Sequence, residues 1–570
     1  MVNTVADVIA ATLRRHGAEV IFGQSNPTAL LLAAERRGIR QILYRTENAG
    51  GVMADGYARA ANRISVLAVQ NGPAAALAVA PMAEALKASI PMLVLVQDVP
   101  AAHRDRNAFQ EMDHVALFSA VSKWTRRIDA PSRAADAVDL AVTAANSGRP
   151  GPVVLLLPKD VLHLPAEQNA FPRTADLGTF PLDRPRPARA AVTRAADLLA
   201  AARAPVVIAG GGIHASGAAT ALARLQHVAR LPVATTSMGK GAVDETGPLS
   251  LGVVANLTGE RGRAHHYRRL LAEADVVLLA GTRTNENGTD GWDLTSADAT
   301  YLHIDVDGVE IGRNYEAVRL VGDAQSALTD LTDELQLRDL TRRQEFSTAF
   351  ETRIKIGREL HRTSAVRSAE PEGTPIAPER VLAEIDALLR PDDIVTADAS
   401  YSSSWVAALL TARRAGQRFL LPRGIAGLGW GLPLAMGAKL ARPGQRVLAL
   451  VGDGGFAHGW SEIETAVREK IAVTVVVLNN AVLGAQRHTE LLTFGETTTA
   501  VDFAPVDHAA VAQAAGAIGV VVTEPADLHD ALATALDAAT TTVLDVHVDP
   551  DAVPPLRGAN VLELPIPAIR

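Results

Sequence analysis

The sequence predicts an α/β protein of three doubly wound domains with mostly parallel sheets, and three observations predict it. Short apolar runs bounded by glycine or proline alternate with amphipathic helical stretches along nearly the whole chain, which is the pattern of successive βα units. Two segments break that pattern, a proline-rich stretch at 163–189 and a polar helical connector at roughly 330–369. A chain of 570 residues cut at those points leaves three pieces of ordinary domain size.

The first domain, 1–162, opens on a helical stripe of Val5, Val8, Ile9 and Leu13, with Gly17 as its stop signal. Apolar runs at 20–22, 41–44, Ser65–Val69, 91–96 and 153–157 follow as strands. The turns Asn26-Pro27, Gly72-Pro73 and Arg149-Pro150-Gly151-Pro152 punctuate them. The second domain, 190–330, has a helix at 192–202, then strands Pro205–Ala209, Val233–Thr235, Val276–Ala280 and 301–305. Glycines at Gly210-Gly211-Gly212 and Gly281 close two of these strands. The third domain, 375–550, has the strand Ile394–Ala397 and then the most informative stretch of the chain, 446–480.

In that stretch an apolar run at 447–451 ends in Gly452-Asp453-Gly454-Gly455. An amphipathic helical segment leads to a second apolar run at 473–478, closed by Asn479-Asn480. Strand, glycine turn, helix, strand is a βαβ unit with parallel strands. Asp453 and Asn480 therefore meet at adjacent carboxyl ends, where open α/β sheets bind ligands. A carboxylate and an amide oxygen there can hold a hard cation such as Mg²⁺, which also binds phosphates. The glycines allow backbone N–H groups to approach a diphosphate, and the following helix N-terminus favours its charge. A lone Gly-Asp-Gly is an ordinary tight turn; the second motif at the neighbouring strand end is what points to a ligand.

Composition sets limits. The formal net charge of −8 leaves no nucleic-acid or anionic-membrane footprint. The absence of cysteine excludes disulfides, thiolate catalysis and cysteine-ligated metal centres. No apolar run approaches the roughly 18 residues of a membrane span. Asp7 interrupts the apolar core that a signal peptide would need, so the expectation is a cytoplasmic protein without a targeting segment.

The pairing of Gly452-Asp453-Gly454 with Asn479-Asn480 resembles the signature of thiamine diphosphate (ThDP) enzymes. Glu47-Asn48-Ala49-Gly50 followed by Ala54-Asp55-Gly56-Tyr57-Ala58-Arg59 resembles the same family's first-domain motif. The resemblance implies a pyrimidine-binding first domain, a central domain and a diphosphate-binding third domain. It implies that Asp453, Asn480 and the main-chain oxygen of Val482 ligate Mg²⁺, and that Gly452, Gly454 and Gly455 cradle the diphosphate with Ser402 and Ser403. Glu47 would share a proton with the pyrimidine ring, a task for which a dry site can raise a carboxyl pKa. Gly424 to Pro433 resembles the family's glycine-rich segment, which puts Leu428 between the two cofactor rings, where methionine is common. It also directs the Ala426 carbonyl to the pyrimidine amino group. Asn71 and Gly72 resemble the loop beside that ring, and Ala108-Phe109-Gln110-Glu111 matches acetolactate synthases, with Gln110 facing the reacting carbon.

Acetolactate synthase-like enzymes are the nearest group, with benzaldehyde lyase-like enzymes beside them. The chain departs from both. Its first loop, Gly23-Gln24-Ser25-Asn26-Pro27, is polar and lacks histidine. The region after Asn480 holds Gln486 and His488 and no tryptophan. Ser25, Asn26, Gln110, Gln486 and His488 are thus the candidate substrate contacts. The central domain is a candidate FAD or adenine-nucleotide site, although the expected Gly-Met-His-Gly segment is missing near Leu251. The resulting expectation is a ThDP- and Mg²⁺-dependent 2-ketoacid decarboxylase and carboligase acting through an acyl carbanion equivalent, a homodimer or homotetramer. The alternatives are a lyase or hydrolase of an acyloin or cyclic dione, and a non-catalytic ThDP-fold subunit.

Overall fold

The structure is a computed structural model that describes residues 3–166, 174–369 and 373–557. Residues 167–173 of the proline-rich stretch thus lie outside the described residues. The first sheet is built from β1 (Val20–Gly23), β2 (Arg40–Ile42), β3 (Ser65–Val69), β4 (Met92–Asp98), β5 (Thr125–Arg127) and β6 (Val153–Pro158). The second holds β7 (Pro205–Ala209), β8 (Val233–Thr235), β9 (Ser250–Val253), β10 (Val276–Ala280), β11 (Thr300–Asp305) and β12 (Ala317–Val321). The third holds β13 (Ile394–Ala397), β14 (Phe419–Leu420), β15 (Val447–Gly452), β16 (Thr474–Asn479), β17 (Ile518–Val522) and β18 (Thr542–His547). Neighbouring strands run parallel throughout.

Strand order matters more than strand count. The first sheet runs β2-β1-β3-β4-β6-β5 and the third repeats that order as β14-β13-β15-β16-β18-β17. The second runs β12-β11-β10-β7-β8-β9, which is the dinucleotide-binding order. In such sheets ligands gather beyond the carboxyl ends where the winding direction reverses. Those points lie between β1 and β3, between β7 and β10, and between β13 and β15. The loops there carry Ser25 and Asn26 with Asn71 and Gly72; Gly210–212 with Gly281; and Asp398–Ser402 with Asp453.

The first and third domains share one core. The helix Glu47–Ala61 lies against the helix Gly431–Ala441, and Met53, Ala54, Tyr57, Leu432, Ala435 and Met436 pack in a single buried cluster. Small residues permit the close contact. A Cβ on Gly56 would meet the Leu434 carbonyl oxygen at 2.3 Å, and one on Gly437 would meet that of Met53 at 1.9 Å. Among the described residues no helix is long and apolar enough to cross a membrane.

Candidate active site

The third-domain pocket forms because parallel pairing sets Gly452 opposite Leu478 at the ends of β15 and β16. Asp453 and Asn480 follow immediately, and the Ala481 N–H donates to Asp453 Oδ2 at 2.6 Å. Gly454 N–H donates to Asp453 Oδ1 at 2.8 Å. Burial pushes the Asp453 carboxyl above its usual range, against the pull of these N–H donors. The segment after Asn480 is fixed by pairing with 501–503: Leu483 N–H donates to the Val501 carbonyl, and Phe503 N–H to that of Ala481. A cavity of about 70 Å³ results, lined by Ser402, Leu428, Gly452–455, Asn480, Val482 and Gln486, with Asp398 and Tyr401. Its lining residues all come from the third domain.

Other residues singled out from sequence lie around this pocket. The Ser403 hydroxyl donates to the Ser400 carbonyl at 2.9 Å, inside its own helix cap, and Ser403 does not line the cavity. His488 Nδ1 lies 2.7 Å from the Tyr401 hydroxyl. Ala426 is exposed on the loop 424–430 and has φ +62°. Asp398 is buried and accepts N–H bonds from Ala399, Gly429 and Trp430, its pKa raised by burial against those donors. A Cβ on Gly455 would stand 1.8 Å from Asp398 Oδ2. Gly455→Ala is therefore expected to displace Asp398 or the glycine turn and weaken ThDP binding. Calorimetric titration with ThDP and Mg²⁺ checks this.

A second cluster lies in the first domain. Thr46 caps the helix Glu47–Ala61, its hydroxyl accepting from Ala49 N–H at 3.2 Å. Glu47 thus occupies the first helical position, half-buried, where the helix dipole favours its charge. Its carboxylate takes no hydrogen bond among the described residues. The segment before it is held from the third domain: buried Glu462 accepts from Arg45 N–H at 3.0 Å and from Thr46 N–H at 3.0 Å. Nearby, amides form a chain. Asn26 donates to Ser25 Oγ and Gln70 Oε1, and Gln70 donates to Gln110 Oε1 at 2.8 Å. Asn71 donates to the Phe109 and Gln110 carbonyls, while Gly72 N–H donates to His114 Nε2. Ser25 and Gln110 both adopt positive φ, as do Ser400 and Ala481 beside the third-domain pocket. Such backbone strain gathers at sites where the surroundings over-determine conformation.

Sequence reasoning passed over Gln70, Glu462 and Glu84. Each carried a signal: Gln70 is the first polar residue after the buried strand β3, Glu84 puts a charge on a helix face that is otherwise apolar, and Glu462 puts one beside Ile463 and Ala466.

A larger cavity of about 190 Å³ lies away from both clusters, at the switch point of the central sheet. Gly211, Gly212, Gly281, Thr282, Arg283 and Asp305 line it from the second domain, Arg149 from the first and Arg418 from the third. Burial raises the Asp305 pKa to about 6.

Family profiles match all three domains: thiamine pyrophosphate enzyme, N-terminal TPP binding domain at 3–117, central domain at 192–331 and C-terminal TPP binding domain at 398–546. Thiamine pyrophosphate is ThDP under its other name. The chain is 32% identical to a probable acetolactate synthase large subunit of Methanocaldococcus jannaschii, over 96% of this chain and 93% of that protein. The chain belongs to the ThDP-dependent, acetolactate synthase-like enzymes. The acetolactate synthase large subunit of Parasynechococcus marenigrum is 33% identical over 95% of this chain and 87% of its own length. The isozyme 3 large subunit of Escherichia coli (strain K12) is 29% identical over 95% and 94%. The two TPP binding domain profiles, at 3–117 and 398–546, each span one of the two clusters. Among the described residues no group of three or more His, Cys, Asp or Glu could hold a metal. A carboxylate beside an amide at adjacent strand ends is an oxygen donor set of the kind Mg²⁺ takes.

Proposed function

We propose that the chain is a ThDP- and Mg²⁺-dependent 2-ketoacid decarboxylase and carboligase, which joins the acyl fragment to an acceptor carbonyl. The observation that carries this reading is the pairing of Asp453 with the Asn480–Ala481 turn at adjacent strand ends. Asp453, the Asn480 amide oxygen and the Val482 carbonyl would hold Mg²⁺, with Gly452, Gly454, Gly455 and Ser402 around the diphosphate and Ser403 behind them. When bound, ThDP supplies the acyl-anion chemistry. Glu47 would hold and return the proton at the pyrimidine nitrogen, with Asn71 and Gly72 beside the ring. The Ala426 carbonyl would accept from the pyrimidine amino group, and Leu428 would fix the ring geometry.

Gln110, Ser25, Asn26, Gln486 and His488 would orient the substrate. One chain lines the diphosphate-side pocket from its third domain alone, while Glu47 stands on the first. That division supports a homodimer, or a homotetramer of two such pairs, in which two chains complete each site. The three domains are taken as 1–162, 190–330 and 375–550, and the central cavity as the place for FAD or an adenine nucleotide. The protein is taken as cytoplasmic.

The second reading, a lyase or hydrolase of an acyloin or cyclic dione, draws on one feature. The hydrogen-bonded chain Asn26–Gln70–Gln110 offers a polar surface to an oxygen-rich substrate. NMR of the protein with ThDP, Mg²⁺, pyruvate and an aldehyde or second ketoacid separates the two. Acetolactate or a mixed acyloin is the expected product; bound ThDP with no pyruvate consumed would transfer the assignment to the second reading.

A further inference from the structure

We propose that Glu84 is a positioning residue for the cofactor loop 424–430, holding it from across the boundary between the first and third domains. The inference rests on the functional reading above, because it concerns the loop that carries Ala426 and Leu428. Glu84 lies on the helix Val79–Ala88 and is 2% exposed. Its carboxylate gathers three consecutive backbone donors of the other domain. Gly424 N–H donates to Oε1 at 2.8 Å, and Ile425 and Ala426 N–H donate to Oε2 at 2.6 and 3.2 Å. Arg59 also donates to Oε1 at 3.3 Å and to the Leu421 carbonyl at 2.9 Å, which fixes the carboxylate and the start of the loop together. Asp55 pairs with the same guanidinium.

The far end of the loop is held in the same manner. Asp398 accepts from Gly429 N–H at 2.9 Å and Trp430 N–H at 3.0 Å. Leu428 is therefore suspended between two buried carboxylates, one from each ThDP-binding domain. Between these anchors Ile425 is 46% exposed, and Ala426 is exposed as well. Ala426 nevertheless keeps φ +62°, a conformation that an alanine holds only when its surroundings impose it. Three successive N–H groups converging on one anion are such a constraint. The approach is close enough that a Cβ on Gly424 would stand 2.8 Å from Glu84 Oε2. The carbonyl of Ala426 and the side chain of Leu428 thus take their position through Glu84 without Glu84 reaching the cofactor.

The test compares full-length wild type with Glu84→Gln, which keeps length but turns an amide N–H₂ toward the loop donors. Glu84→Asp is the second variant; it keeps the charge near Arg59 but withdraws the oxygens by one methylene. Backbone hydrogen exchange is followed by mass spectrometry without cofactor, and ThDP with Mg²⁺ is titrated by calorimetry. Both variants are expected to exchange faster at 424–430, keep wild-type exchange in the helices Val79–Ala88 and Gly431–Ala441, and bind ThDP about 10- to 100-fold more weakly. Unchanged loop exchange or unchanged affinity in the variants, with wild type binding ThDP, would overturn the inference alone. Faster exchange throughout the chain would reduce Glu84 to a fold-stabilising residue and overturn it too. Wild type that fails to bind ThDP would bring down the functional reading and this inference with it.

Discussion

Glu47→Gln is expected to lower turnover about 100- to 10,000-fold, the usual span for loss of a general acid–base group. Folding should hardly change. The Glu47 carboxylate accepts no hydrogen bond among the described residues, and the helix it opens is capped independently by Thr46. The negative charge at the helix N-terminus contributes about 0.3–1 kcal/mol, and up to about 2 kcal/mol where it is partly buried. A loss of 100-fold or more in rate corresponds to at least about 2.7 kcal/mol of barrier, so the two effects separate cleanly. Glutamine has nearly the same shape but cannot take a proton at the pyrimidine nitrogen. Steady-state kinetics beside a thermal melt is the measurement. Turnover within about threefold of wild type would mean that Glu47 is only a favourable helix-start residue.

The placement of the candidate residues was more legible in the sequence than the contacts that hold them. Asp453, Asn480 and Glu47 are visible because parallel strands put their ligands at carboxyl ends, and those ends follow apolar runs. In the first two domains the strands that escaped sequence reading, Thr125–Arg127, Ser250–Val253 and Ala317–Val321, are all sheet edges. An edge strand is covered on fewer sides and needs no continuous apolar run: Arg126 and Arg319 are exposed within two of these. The segment after the glycine turn reads as one amphipathic helix, but it folds as two short ones, Asp453–Ala457 and Ser461–Arg468. Beyond the β15–β16 neighbours, strand order was not legible, because local pattern carries no information on which distant strands pair. Glu84 and Glu462 escaped for a related reason. Each acts on backbone N–H groups hundreds of residues away, and backbone donors leave no trace in side-chain spacing.

Asp453→Ala is expected to abolish ThDP binding at micromolar cofactor. Loss of a group that merely supports a metal ligand costs about 10- to 100-fold in metal affinity, and loss of a carboxylate that contacts the ion costs more. The apo protein should tolerate the change. Burial works against the Asp453 charge, as its raised pKa records, so removing the carboxylate relieves that penalty. It also leaves the Gly454 and Ala481 N–H groups without their acceptor, at about 1–3 kcal/mol each if water does not replace it. These terms oppose each other, and the apo melting temperature should shift little or fall modestly. The cofactor-dependent shift behaves differently. A ligand at a hundredfold its dissociation constant stabilises the folded state by about 2.7 kcal/mol, and the variant should lose that gain entirely. Melting curves with and without ThDP and Mg²⁺ decide it. If the variant keeps the wild-type shift, the ion and diphosphate do not lie at the end of β15, and the assignment of the third-domain pocket fails.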